Sequence, residues 1–417
     1  MKILMISWEY PPYIEGGMGR HVAELAPALA QQGVDLHVVT PVGADSIEHL
    51  INQANRWPTQ LKAANTIVPA TISTEDGVVV HRVLSPKHLT NENVFERANR
   101  VNEVLTAYLA ELQPTLGAFR LVHTHDWLTY DAAIAAATIW NCPLVVTVHA
   151  TELGRARGHL VDDLQRAIDG AERKLVSRAT FVIVCSQHMA YELQHFFAVP
   201  NQKMAVVPNG VNLTELQQVP TNGLTEFRAK YAAPTEQIVF SIARLVYEKG
   251  IHRLLDAAPR ILEKCPNTRF IIAGRGPQAE TLQQQANSFG ITDRVDLIGF
   301  ITDEERNRLF KVADCAVFPS LYEPFGIVAL EAMSLGCPVV VSDVGGLAEV
   351  VTHRETGITV YPDDPESVAW GVTQALTRPD WNAQHVAEAL KWVSDNFNWE
   401  RIAGLTTRVY RRVVAAG

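Results

Sequence analysis

The sequence predicts an α/β protein made of two doubly wound, mostly parallel sheets. Three observations carry that expectation. Short apolar runs of strand length alternate with longer stretches of helical period. The alternation is interrupted once, over residues 208–234, where Asn, Gln, Thr, Pro and Gly dominate. And 417 residues exceed one ordinary domain. We therefore expect an N-terminal domain at 1–208, a linker at 209–235, a C-terminal domain at 236–397 and a closing helix at 398–417.

The elements follow in order. A buried strand is expected at 3–7 and a helix at 18–32, with Val22, Leu25, Ala26 and Leu29 on one face and Gly33 as its stop. Strands follow at 36–40, 78–83, 121–125, 144–149, 181–186 and 205–208, with helices at 93–112, 127–140, 160–177 and 187–196 between them. The second series places strands at 238–244, 269–273, 295–298, 315–319 and 339–342. Strands interleaved with helices imply parallel pairing through right-handed crossovers, and ligands then sit at the carboxyl ends of the strands. The last stretch, with Trp392 and Trp399, is an amphipathic packing helix.

Composition excludes several classes. A hydrophobic content of 47% with 19% charged residues describes a well-cored globular chain. The formal net charge of -9 argues against non-specific binding to nucleic acid. The five cysteines, at 142, 185, 265, 315 and 337, show no metal-site spacing and read as small buried hydrophobes in a reducing compartment. The first apolar run is too short for a signal peptide, and no window approaches the ~18 apolar residues of a membrane span. A cytoplasmic protein without stable membrane insertion is expected.

Polar residues gather at the predicted strand ends. After the first strand comes Glu15-Gly16-Gly17-Met18-Gly19-Arg20-His21 at a helix start. Glycines let backbone approach a phosphate closely, and the helix N-terminus adds amides and a positive dipole end. The spacing is not G-x-G-x-x-G, so a dinucleotide cofactor is disfavoured. Two further ends carry His123-Thr-His125-Asp126-Trp127 and His149-Ala-Thr-Glu152-Leu-Gly-Arg155-Ala-Arg157. His123 and His125 share a strand face, His149 lies on another strand, and no H-x-x-x-H helix accompanies them, so no metal site is expected. Arg155, Arg157 and Arg178, with Lys87 after an earlier strand, form a loose basic group.

In the second half, one strand ends in Arg244-Leu-Val-Tyr-Glu248-Lys249-Gly250, whose two cations could both reach a pyrophosphate. Others end in Gly274-Arg275-Gly276-Pro277, a second close-approach loop, and in Asp343-Val-Gly345-Gly346. Between these lies Ser320-Leu-Tyr-Glu323-Pro-Phe325-Gly326-Ile-Val-Ala-Leu-Glu331-Ala-Met. It reads as an acidic loop running into a helix that starts near Phe325, with Pro324 in its first turn. Glu331 would stand about two turns in, roughly 8–9 Å along the axis.

This set resembles family 4 of the retaining glycosyltransferases, whose GT-B fold has two Rossmann-like domains facing across a cleft. The resemblance covers nearly the whole chain. Its most specific element is Glu323-x7-Glu331, and Val148-His-Ala-Thr-Glu152 is similar to the sucrose-phosphate and glycogen synthase branch. The resemblance implies that Arg244 and Lys249 neutralise the nucleotide diphosphate and that Glu331 holds the ribose hydroxyls. It implies that Glu323, with the amides of Phe325 and Gly326, contacts the donor sugar, with Gly274 and Gly276 lining the donor site. Gly16 and Gly17 would close on the β-phosphate, and His149 would lie near the reacting carbon.

The implied reaction is metal-independent hexosyl transfer from UDP- or ADP-glucose, a co-substrate, with no cofactor. The expected acceptor is a sugar or sugar phosphate, first fructose 6-phosphate on Lys87, Arg155, Arg157 and Arg178. α-Glucan or maltose-1-phosphate synthesis stands second, and an envelope mannosyl- or galactosyltransferase acting on lipid third. Two positions depart from the branch: Glu15 stands where glycogen synthases usually carry Lys, and Met18 where sucrose-phosphate synthases usually carry Gln.

Overall fold

A computed structural model describes residues 1–14, 16–43, 62–63 and 68–416. Contacts divide the chain into two compact units, Met1–Gly210 with Trp399–Gly417, and Val211–Asn398. Both are α/β, with helices packed on sheets that are parallel except at one edge.

In the first unit the strands are β1 (Lys2–Ile6), β2 (Asp35–Val42), β3 (Lys62–Ala63), β4 (Ala70–Glu75), β5 (Val78–Leu84), β6 (Leu121–His125), β7 (Leu144–Val148), β8 (Phe181–Val184) and β9 (Met204–Val206). Among the described residues the sheet order is β3-β4-β5-β2-β1-β6-β7-β8-β9. Strand order reverses between β1 and β6, a parallel pair. That reversal opens a crevice at their carboxyl ends, where doubly wound sheets hold ligands.

The sequence reading missed β4, which runs antiparallel to β5. Asp76 and Gly77 join the two strands, and both have positive φ, 50° and 80°. Two consecutive left-handed residues make the hairpin turn whose twist matches the flanking strands, so Asp-Gly was the available signal. The helix expected at 127–140 is a short 3-10 turn, Trp127–Thr129, followed by the helix Tyr130–Ile139.

The core of this unit joins the helix Gly17–Gln31, through Val22, Leu25, Ala26 and Leu29, to β1 and β2. The last helix, Trp399–Ala416, adds Ile402, Ala403 and Tyr410 to the same core. Its Tyr410 hydroxyl lies 2.7 Å from His123 Nδ1 inside the sheet layer.

The second unit holds β10 (Gln237–Ile242), β11 (Thr268–Ala273), β12 (Val295–Gly299), β13 (Cys315–Phe318), β14 (Val339–Ser342) and β15 (Ile358–Val360). Their order is β12-β11-β10-β13-β14-β15, all parallel. Here the reversal falls between β10 and β13. β15, only three residues long, gave no strand-length run to read.

Two expectations change. The stretch 209–235, read as a linker, carries the helices Leu213–Gln217 and Leu224–Arg228, with Leu216 and Phe227 buried. The helix expected from Phe325 begins at Ile327, so Pro324 stands outside its first turn. Gly326 caps it at φ 103°, a backbone conformation open to glycine, and that sets the start. Glu331 is thus one turn in, about 6 Å from Ile327. The helix is buried from Ala329 to Ser334 instead of showing one apolar face.

Candidate functional site

In the second unit the strand-order reversal brings two loops together. The loop after β10 carries Arg244, Glu248 and Lys249, and the loop after β13 carries Ser320 and Glu323. Lys249 Nζ donates to Glu323 Oε2 at 2.7 Å, with both side chains about four-fifths buried. The Ser320 hydroxyl donates to the same oxygen at 3.4 Å. The Leu321 and Tyr322 amides donate to the Glu248 carbonyl, at 2.8 and 3.3 Å, and clip the loops to each other. The Gly346 amide donates to the Glu323 carbonyl at 2.8 Å, joining the loop after β14. The helix Ile327–Ser334 follows, its first-turn amides lacking intrahelical acceptors.

Arg244 is placed differently from Lys249. Its side chain is two-thirds exposed and meets only the edge of an ion pair, 3.7 Å from Glu248. Glu331 is buried and pairs with Arg306 at 3.4 Å. Phe325 is buried edge-on against Phe397 at 6.0 Å.

Gly274 and Gly276 have a packing role that the sequence reading did not give them. A Cβ on Gly274, at φ 131°, would stand 1.8 Å from the Ala243 carbonyl oxygen, and one on Gly276 would stand 2.3 Å from that of Leu245. Leu245 N–H donates to the Arg275 carbonyl at 2.8 Å. The glycines let two protein loops lie against each other.

In the first unit the crevice between β1 and β6 is lined by charged and imidazole groups. Glu9, three residues past the end of β1 after Ser7 and Trp8, accepts from the Gly16 amide at 3.0 Å through Oε2. A Cβ on Gly19 would stand 2.2 Å from that oxygen, so the Glu9 carboxylate sits where only glycine fits. Gly17 is the first residue of its helix, and Gly16 its cap. Glu15 lies outside the described residues.

His149 follows β7. Its Nε2 lies 3.1 Å from His125 Nδ1, and its amide donates to Asp126 Oδ1 at 2.7 Å. Burial lowers the ring to about 4, so it stays neutral near pH 7. Under the loop lie buried carboxyls. Burial raises Asp126 to about 6 and Glu172 to about 8, against hydrogen bonds from the loop amides and attraction to Arg155. Glu172 accepts from the Glu152 amide at 3.0 and 3.1 Å, and the Thr151 hydroxyl donates to Glu192.

Residues 15–215 match the Glycosyltransferase Family 4 profile, and residues 224–392 match Glycosyl transferases group 1. The chain is 34% identical to an uncharacterised glycosyltransferase of Methanocaldococcus jannaschii over 99% of its own length and 98% of that protein's. This chain belongs to the family 4 glycosyltransferases. It is also 33% identical to the glycogen synthase of Mycobacterium tuberculosis, over 98% of this chain and 94% of that one. Among solved structures, the sucrose-phosphate synthase of Thermosynechococcus elongatus matches over all of both chains, with a TM-score of 0.78 and 25% identity. The two α/β units are those of the GT-B fold.

Within this glycosyltransferase the predicted residues separate. Lys249 and Glu323 come together, while Gly274 and Gly276 serve loop packing. The basic group does not assemble. Lys87, past the end of β5, and Arg157, past β7, are exposed, and Arg155 turns to Glu152 at 3.5 Å. Arg178 lies at the opposite end of the sheet, beside Arg120, Pro143 and Thr180, where β6, β7 and β8 begin. It ends its helix one crossover before β8, a placement that sequence proximity to Arg155 concealed. Sequence reasoning also missed Glu9, His21, Glu172 and Arg306. The first is legible as a carboxylate just past a strand end; the other three lie on helices and reach their partners only by packing.

The expected histidine group changes membership. His123 is taken up by Tyr410 and by Thr147, 2.8 Å from its Nε2. In its place the helix Gly17–Gln31 brings His21, whose ring centroid lies 5.3 Å from that of His125 and 4.6 Å from that of His149. One ligand atom from each of His21, His125 and His149 lies within 4.8 Å of the others, a grouping that the strand positions of His123, His125 and His149 did not suggest.

Proposed function

We propose that this glycosyltransferase moves a glucosyl group from UDP- or ADP-glucose with retention of configuration and without a catalytic metal. The observation that carries the reading is the Lys249–Glu323 contact of 2.7 Å at the strand-order reversal. A fixed cation beside a fixed carboxylate, ahead of a helix N-terminus, suits a ligand that is anionic at one end and rich in hydroxyls at the other. Lys249, joined by the exposed fork of Arg244, meets the charge that grows on the departing phosphate, and fixed donors such as Lys249 carry large shares of catalysis. Glu323 takes the sugar hydroxyls. Glu331, held by Arg306, is assigned to the ribose, and His149 is assigned to the donor sugar by the family resemblance alone. The acceptor hydroxyl passes its proton to the leaving phosphate, so no carboxylate dyad is needed.

For the acceptor, α-glucan or a related glucosyl chain leads. Full-length similarity to a glycogen synthase supports it, and the dispersal of Arg155, Arg157, Arg178 and Lys87 removes the basic cluster on which fructose 6-phosphate rested. Sucrose-6-phosphate synthesis stands second, supported by the likeness to a sucrose-phosphate synthase.

Nucleoside diphosphate release from UDP-, ADP- and GDP-glucose, with glycogen, glucose 1-phosphate and fructose 6-phosphate in turn, tests the reading. Turnover with a glucosyl donor and glycogen or glucose 1-phosphate is expected. Turnover with fructose 6-phosphate alone would reverse the acceptor order, and none with any glucosyl donor would refute the donor assignment.

A further inference from the structure

His21 sits on a helix, His125 closes β6, and His149 follows β7, so three separate elements deliver imidazoles to one point. His21 and His125 are almost wholly buried, 3% and 0% exposed. Among the described residues, neither nitrogen of His21 has a hydrogen-bond partner, and Nε2 of His125 has none. The Asn209 side chain lies within hydrogen-bonding reach of His21, but neither its Oδ1 nor the ring nitrogens reach good hydrogen-bond geometry among the described residues.

Buried polar atoms are nearly always paired, because each orphan keeps the cost of leaving water. Here three imidazole nitrogens in that condition, two of His21 and one of His125, lie in one cluster. His125 Nδ1 and His149 Nε2 are 3.1 Å apart, a hydrogen bond that a bound ion would replace. Two bonds of about 2.1 Å meeting at a tetrahedral angle would set such atoms about 3.4 Å apart, near the His125–His149 spacing, while the three-way spacing of up to 4.8 Å requires the His21 ring to close in on the ion. Trp399 closes the far side, its ring 5.3 Å from His21, so the imidazoles are held from behind.

We propose that His21, His125 and His149 form a binding site for a divalent late transition-metal ion of the zinc class. Three imidazoles suit zinc, copper or nickel and leave a coordination position open, whereas magnesium and calcium take oxygen ligands. Binding consumes the lone pair of His149. The metal-bound ring can donate but no longer accept a hydrogen bond, so it cannot accept from a donor-sugar hydroxyl, and transfer is slowed. This consequence rests on the proposed role of His149, while ion uptake does not.

The test uses full-length protein stripped with EDTA and then titrated with Zn2+ and Co2+. One equivalent should bind, and the Co2+ form should show visible d–d absorption. X-ray absorption at the zinc edge should show three imidazole nitrogens at about 2.0–2.1 Å. His21→Asn and His125→Asn should each weaken binding by about tenfold or more. No stoichiometric uptake, or a sulfur- or carboxylate-dominated shell, overturns the site, as does undiminished binding in both variants. Should the variants fail to fold, the wild-type absorption spectrum decides alone. Bound Zn2+ should lower nucleoside diphosphate release, and EDTA should restore it. Binding with the expected shell but no inhibition would uphold the site and refute the donor-sugar role of His149.

Discussion

Lys249 and Glu323 stand 74 positions apart in the chain and 2.7 Å apart in the protein, each about four-fifths buried. β10 and β13 pair directly, so the loops leaving them must meet. Lys249→Ala is expected to lower turnover by about 100-fold or more, the size seen when one preorganised donor is removed. Circular dichroism should still show the folded chain, while the melting temperature should fall somewhat, because Glu323 is left largely buried without its cation. Retention of wild-type nucleoside diphosphate release would end the diphosphate assignment.

Gly274→Ala tests the packing role found for this loop. The new methyl would meet the Ala243 carbonyl at 1.8 Å, on a backbone with φ 131°. A loss above about 1 kcal/mol is expected in urea or guanidinium denaturation. A neutral substitution would show that the two loops separate readily.

Tyr410→Phe tests the docking of the last helix. The hydroxyl is 2.7 Å from His123 Nδ1, in a fully buried contact. Removing it leaves a buried ring nitrogen unpaired, at a cost of about 1–3 kcal/mol. The denaturation midpoint measures this, and an unchanged midpoint would refute it.

Glu172 supplies a pH dependence. Burial raises its carboxyl to about 8 from an ordinary 4.5, so the folded chain keeps a proton that the unfolded chain has released. Between those values the folded state binds more protons, and its stability falls as pH rises. Glu172→Gln removes that term while keeping an acceptor for the Glu152 amide. The melting temperature of the variant relative to wild type should therefore improve from pH 5 to pH 9, by a few degrees. Parallel curves for the two proteins would contradict the assignment.

EDTA should leave nucleoside diphosphate release intact or increase it. A loss restored by Mg2+ or Mn2+ would mean that the metal-free reading of the transfer is wrong.

Much of the architecture was legible because it is local. A strand announces itself by an apolar run such as Leu121–His125, and a helix by its period and by a stop such as Gly33. The strand ends followed, and with them Lys249, Glu323 and His149, because polar residues that interrupt buried runs have few reasons to be there. The E-P-F-G loop and its distant Glu331 were visible for the same reason.

What the chain order could not show is which ends meet and which way a helical side chain faces. β10 lies beside β13 because of the crossovers between them, and that choice alone pairs Lys249 with Glu323. His21 replaces His123 in the imidazole cluster because the helix Gly17–Gln31 rests on the sheet with that residue inward. Arg178 parts from Arg155 because the helix Asp163–Arg178 runs the full depth of the sheet between them. Local sequence determined the parts and their chemistry; contacts between residues far apart in the chain, set by packing of buried faces, decided which of those parts share a site.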